Sequence, residues 1–174
     1  MARSYLNRTD LPRGLRNNNP GNIRYSAAND WVGKIPFSRN TDAGKTFEQF
    51  QYLHQGIRAK MVLIYNKIAQ GTNTIEKLIT VYAPPIENNT AAYIKQVASM
   101  VGYAANVPIE LTAESLISLC KAISYVENGS SYSSFVTDQD YADAIAIFDR
   151  PLKKKKQQQH DKNNTGRTCR HNAN

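Results

Sequence analysis

A chain of 174 residues and 19.5 kDa has room for one domain and a tail. With 41% hydrophobic and 21% charged residues it is neither collagen-like nor wholly disordered, and no stretch approaches the roughly 20 apolar residues of a membrane span. The net charge of +8 is uneven: residues 1–149 hold fourteen Lys/Arg against thirteen acids, and residues 150–174 hold eight against one, so a nucleic-acid-binding reading of the whole protein fails.

Residues 1–16 are polar and basic and read as an arm; they have charge but no apolar core, so no secretory signal is expected there. Residues 17–54 are rich in Asn, Gly and aromatics, with extended pieces near 22–25, 31–34 and 47–52. Turn chemistry between these pieces predicts a small β-hairpin element. From Gln55 the period changes. Ile57, Met61, Ile64 and Ile68 share one helical face, and Gly71 ends that helix.

Asn73, with Glu76 three residues on, predicts a capped second helix carrying Ile75, Leu78, Ile79 and Tyr82 and stopped by Pro84-Pro85. A third helix is predicted from Asn89 or Thr90 to Gly102, with Tyr93, Val97, Met100 and Val101 inward. A fourth is capped by Thr112 and runs to Gly129 with Leu116, Leu119, Cys120 and Ile123 inward; a fifth covers about 138–148 with Tyr141, Ile145 and Phe148 at helical spacing. After Pro151 the composition is low-complexity and reads as disordered. The domain reading is therefore an arm over 1–16, a domain over 17–149 and a basic tail over 150–174. The fold class is mainly α (α+β), with the small β element near the start of the domain.

Glu127 is the most informative acid. It lies four residues after Ile123 and seven after Cys120, continuing the apolar face of its helix, in the last turn before Gly129. Desolvation and the carbonyl end of the helix both disfavour its anion, and a carboxyl kept protonated can act as a general acid. The alternative is a helix that frays by Val126 and leaves Glu127 in water. Residues 17–24, NNNPGNIR, form a rigid turn. The amides of Asn18, Asn19 and Asn22 could bind sugar hydroxyls and acetamido groups, or Asn and Gly could simply supply turn geometry. Trp31, Tyr25, Tyr82 and Tyr93 could stack on or line a saccharide, or pack. Glu87, just before a helix start, is the reserve acid, although a carboxylate is also favoured there on structural grounds alone. Glu48 is expected to face solvent.

No nucleotide-binding glycine loop or Ser/His/Asp arrangement is present, and His54 is the one histidine before the tail. His160, Cys169 and His171 match no zinc spacing, and Cys120 with Cys169 reads as two thiols rather than a bridge. These features favour carboxyl-only chemistry, without metal or cofactor.

Several motifs in fixed order carry a resemblance. RGLRNNNPGNIR, the W-x-G at 31–33, the F-x-x-F at 47–50, GIRA at 56–59, YAPPIENNTAAYI at 82–94 and AISYVENG at 122–129 together resemble a family of phage and prophage virion proteins, some of them suspected peptidoglycan-degrading enzymes. A second resemblance is to lysozyme-like glucosaminidases of the flagellar type. NPGNIR, W-x-G and F-x-x-F are similar to that family's later motifs. AISYVENG is similar to the end of its catalytic helix, moved to the C-terminal side, as in a circular permutation. Asn128-Gly129 replaces that family's S-G-W-G continuation. The resemblance implies a lysozyme-like helical domain in which Glu127 matches the catalytic Glu. It implies cleavage of the peptidoglycan glycan strand, of muramidase, glucosaminidase or lytic transglycosylase type, by a protein of the phage particle acting at the bacterial cell wall. The expected partners are glycan strands and other virion proteins, with the basic tail attracted to DNA, an anionic membrane or a cell-wall polymer. A non-enzymatic virion structural or adaptor protein using the same fold for binding is the competing expectation.

Overall fold

The computed structural model describes residues 2–83 and 89–154. Glu87, the Pro84-Pro85 stop, Cys169, His160, His171 and most of the predicted tail lie outside them.

The described chain is mainly helical. A short α1 (Arg13–Arg16) precedes α2 (Leu53–Ala69), α3 (Ile75–Tyr82), α4 (Thr90–Val101), α5 (Ala113–Asn128) and α6 (Asp138–Ala146), with single 3-10 turns at Phe37–Arg39, Ala43–Lys45 and Ser130–Ser134. The predicted apolar faces are those that pack. Ile57, Met61 and Ile64 on α2, Leu78 and Ile79 on α3, Val97 on α4, and Leu116, Leu119, Cys120 and Ile123 on α5 form one core. Each such side chain removed from water contributes about 2 kcal/mol. α2 lies centrally against α5 and α6, while α4 bridges α3 and α5. Met100, placed inward by the sequence pattern, is exposed at the end of α4.

Local chemistry explains most helix ends. Thr112 and Ser115 cap α5 reciprocally, and the Asn89 side chain accepts from Ala92 N–H at the start of α4. The cap of α3 is Thr74, not Asn73: the Thr74 hydroxyl accepts from Lys77 N–H at 3.2 Å. Gly102, at φ 76°, closes α4 in the left-handed region that favours glycine.

The predicted hairpin is absent from the described residues. Instead, two isolated antiparallel bridges, Arg24–Phe47 and Lys34–Phe50, tie two distant segments to the same extended stretch. A smaller apolar cluster of Ile23, Phe50 and Ala59, flanked by Trp31 and Leu63, fastens this region to α2.

Both predicted domain edges move outward. Leu11 and Leu15 belong to the main core, Arg3 pairs with Asp140 at 3.4 Å, and the Tyr5 hydroxyl donates to Phe135 O at 2.7 Å, so residues 2–16 are not a free arm. At the other end Leu152 packs on the core and Lys153 N–H donates to Leu111 O at 2.8 Å, which brings 150–154 into the folded body.

Candidate active site

The turn over 17–24 is built by its own asparagines. Asn22 N–H donates to Asn19 O at 2.9 Å across Pro20-Gly21, and Asn18 (φ 49°) and Asn22 (φ 45°) adopt the left-handed conformation that asparagine tolerates. Asn19 holds Ile23 by both its N–H and its carbonyl, at 3.0 Å each, and also donates to Glu48 O at 2.9 Å. Asn18 donates to Phe50 O and Gln51 O and accepts from Tyr5 N–H. Asn17 joins buried Asp42 and Gln49 at 2.9 and 2.8 Å. Asn18 and Asn19 are therefore buried, with their amides occupied by the protein, and act as framework rather than as groups facing a ligand. Asn22 alone of the three turns outward.

Two elements meet at this turn. Helix α5 does not fray at Val126; it continues through Asn128, and Gly129 N–H donates to Tyr125 O at 2.9 Å. The Asn128 amide donates to Pro20 O at 2.9 Å and to Ser124 O at 2.8 Å, pinning the end of α5 to the turn. Gly14 makes room for this contact, since a β-carbon there would lie 2.1 Å from Asn128 Oδ1.

Glu127 consequently stands half-buried at the wall of a cleft of about 570 Å³, lined by Arg13, Gly21, Asn22, Arg24, Phe47, Leu63 and Tyr82 among others. The Tyr93 hydroxyl donates to Glu127 Oε1 at 3.0 Å, and the Asn22 amide approaches Oε2 at 3.5 Å, the outer limit of a hydrogen bond. The Tyr82 hydroxyl donates to Gly21 O at 2.9 Å. Burial, reinforced by the Glu127 charge, raises both tyrosines well above the ordinary phenol range, so they remain donors. Of the sequence candidates, Glu127, Asn22, Tyr82 and Tyr93 come together. Trp31 does not join them; it packs beside Phe50 with its indole N–H buried and unpartnered within the described structure. Tyr25 packs against Phe37, with ring centroids 4.8 Å apart.

Three features escaped the sequence reading. Arg13 and Arg24 enter the cleft, both over the Phe47 ring, at 5.0 and 5.7 Å from its centroid. Lys60 is fully buried beneath it: its stem packs under Gly21, its ammonium donates to Ser124 Oγ at 3.1 Å, and it lies 5.7 Å from the Tyr82 ring centroid. Burial pulls that ammonium down to about 8, while the nearby Cys120 and Glu127 oppose the shift. Glu48, expected in solvent, is instead fully buried, its Oε1 receiving Lys34 Nζ at 3.0 Å and Ser26 N–H at 3.1 Å. Alternation could not have found this, because Glu48, Gln49 and Phe50 are all buried in succession.

No group of three His, Cys, Asp or Glu side chains among the described residues could hold a metal, and no described helix is long and apolar enough to cross a membrane.

No protein-family model matches the chain. Over 125 residues it is 36% identical to Protein P5 of Pseudoalteromonas phage PM2, an alignment covering 70% of this chain and 74% of that protein. At that identity and coverage, the chain belongs to the phage protein family that includes Protein P5 of phage PM2.

Proposed function

We propose that this protein cleaves the glycan strand of peptidoglycan as a lysozyme-like, virion-associated phage enzyme, with Glu127 as its general acid. The observation that carries the reading is the meeting, across 105 residues of sequence, of the Glu127 carboxyl with Asn22 of the NPGNIR turn inside one cleft. This juxtaposition is what a permuted lysozyme-like arrangement requires. The volume lies within the range of about 300–1,000 Å³ typical of pockets for small ligands.

Tyr93 fixes Oε1, leaving Oε2, with its long Asn22 contact, as the oxygen that acts on the substrate. As general acid, Glu127 gives a proton to the glycosidic oxygen as the bond to C1 breaks. Among the described residues lining the cleft Glu127 is the one carboxylate, whereas direct hydrolysis uses a pair. The chemistry that suits a single acid is substrate-assisted. The acetamido oxygen of the sugar closes on C1, and Glu127, now a carboxylate, takes the proton of the water or sugar hydroxyl that next attacks C1.

Glu127→Gln is nearly isosteric and keeps an acceptor for Tyr93. It should abolish clearing of purified peptidoglycan by at least about 100-fold while leaving the unfolding midpoint near that of the parent. Retained clearing would reject Glu127 as the acid. The lone carboxylate also suits a second reading, a virion structural or adaptor protein that binds in this groove without cutting. That reading predicts no released saccharide from the parent protein either.

A further inference from the structure

The cleft is not charge-neutral around its acid. Tyr25 N–H donates to Thr46 O and Glu48 N–H donates to Ile23 O, both at 2.9 Å, so Arg24 and Phe47 form the non-hydrogen-bonded pair of their bridge. Side chains approach most closely in such a pair, which lays the Arg24 guanidinium over the Phe47 ring. Arg13 reaches the same ring from α1. Its Nε lies 3.6 Å from Asp42 Oδ1, and that oxygen also accepts from Asn17, so Asp42 engages one side of the fork only. Arg24 is exposed and pairs with no carboxylate among the described residues. A guanidinium held over an aromatic face keeps its in-plane N–H fork free, and that fork matches a carboxylate. Both guanidinium groups line the one cleft, so an anion entering it meets two positive charges.

Resting on the glycan-cleavage reading, we propose that Arg13 and Arg24 bind a carboxylate carried by the saccharide, making the ligand an anionic, muramyl-bearing glycan rather than a neutral N-acetylglucosamine polymer. Two groups of peptidoglycan offer this chemistry, the free lactyl carboxylate of the muramyl sugar and the carboxylates of the stem peptide.

The test is calorimetric binding to the full-length Glu127→Gln protein, which does not consume its ligand. The probes are chitotetraose, the peptide-free N-acetylglucosaminyl-N-acetylmuramic acid disaccharide, a disaccharide-peptide, and each of the last two with its carboxylates amidated. Either the peptide-free disaccharide or the disaccharide-peptide should bind about ten-fold more tightly than its own amidated form, as expected for one charge-assisted contact in a partly open site. Adding Arg24→Gln should erase that difference, and Arg24→Lys should restore part of it. Tight binding of the peptide-free disaccharide assigns the lactyl group; tight binding of the disaccharide-peptide alone assigns the stem. Equal affinity for charged and amidated forms of both probes, an unaffected Arg24→Gln protein, or no binding to any probe overturns the proposal. The two readings fail separately: charge-selective binding by a parent protein that releases no saccharide sinks only the cleavage, and cleavage without charge selectivity sinks only this inference.

Discussion

Lys60 shows how much a single residue's burial can cost. Its folded-state value of about 8 lies below the ordinary 10.5, so between those pH values the unfolded chain holds a proton that the folded chain has released. Stability therefore rises with pH across that window, and below about 8 the folded state bears the whole penalty, roughly 3 kcal/mol. Lys60→Met keeps the stem that packs under Gly21 and removes the charge. It should be the more stable protein at pH 7 by up to about 3 kcal/mol, less about 1 for the lost Ser124 bond. The advantage should shrink towards zero near pH 10.5. Urea unfolding of both proteins at pH 7 and pH 10 checks this, and a difference that does not change with pH would refute it. None of this was legible in the sequence, where Lys60 is one more lysine in a helix. Glu127, by contrast, was legible because it continues a face already marked by Cys120 and Ile123.

Among the elements, α2 and the asparagine turn are joined by backbone contact. A β-carbon at Gly56 would lie 1.8 Å from Asn18 O, a carbonyl held in place by the buried turn. Gly56→Ala should destabilise the fold by about 3 kcal/mol or more, since the obstacle is main chain and cannot rotate away. A loss below about 1 kcal/mol in chemical unfolding would mean that the turn slides easily on the helix. The helices themselves were readable, because a 3.6-residue period and capping side chains act within a few residues. The β region was not. Of the expected extended pieces, 31–34 is instead a turn closed by Lys34 N–H on Trp31 O at 3.1 Å, and Phe47 and Phe50 pair with residues 23 and 16 positions away rather than across a tight turn. Turn residues between extended pieces do not say which pieces meet.

Over the whole molecule, the first residues pack against the 3-10 turn before α6 and against α6 itself, through Tyr5–Phe135 and Arg3–Asp140. The folded body also extends past the basic boundary seen in the sequence. Removing residues 155–174 should leave the unfolding midpoint unchanged and weaken salt-sensitive binding to DNA or anionic vesicles, because that stretch holds five Lys/Arg against one acid. Removing residues 150–174 should in addition cost about 1–3 kcal/mol, as Leu152 packing and the Lys153–Leu111 hydrogen bond are lost. Circular dichroism melts of the two truncations separate these outcomes; equal melts would place the end of the folded body before Arg150.

The amino-acid sequence by itself determined the helices, their inward faces and the last-turn position of Glu127, because periodicity and capping are local properties of a chain. Tertiary structure alone decided that Asn18 and Asn19 are framework, that Lys60 and Glu48 are buried, and that Arg13, Arg24 and Asn22 share a cleft with Glu127. Those facts depend on which distant segments touch. That is settled by packing over the whole core, where one carbonyl against one glycine, or one asparagine bridging two loops, selects the arrangement.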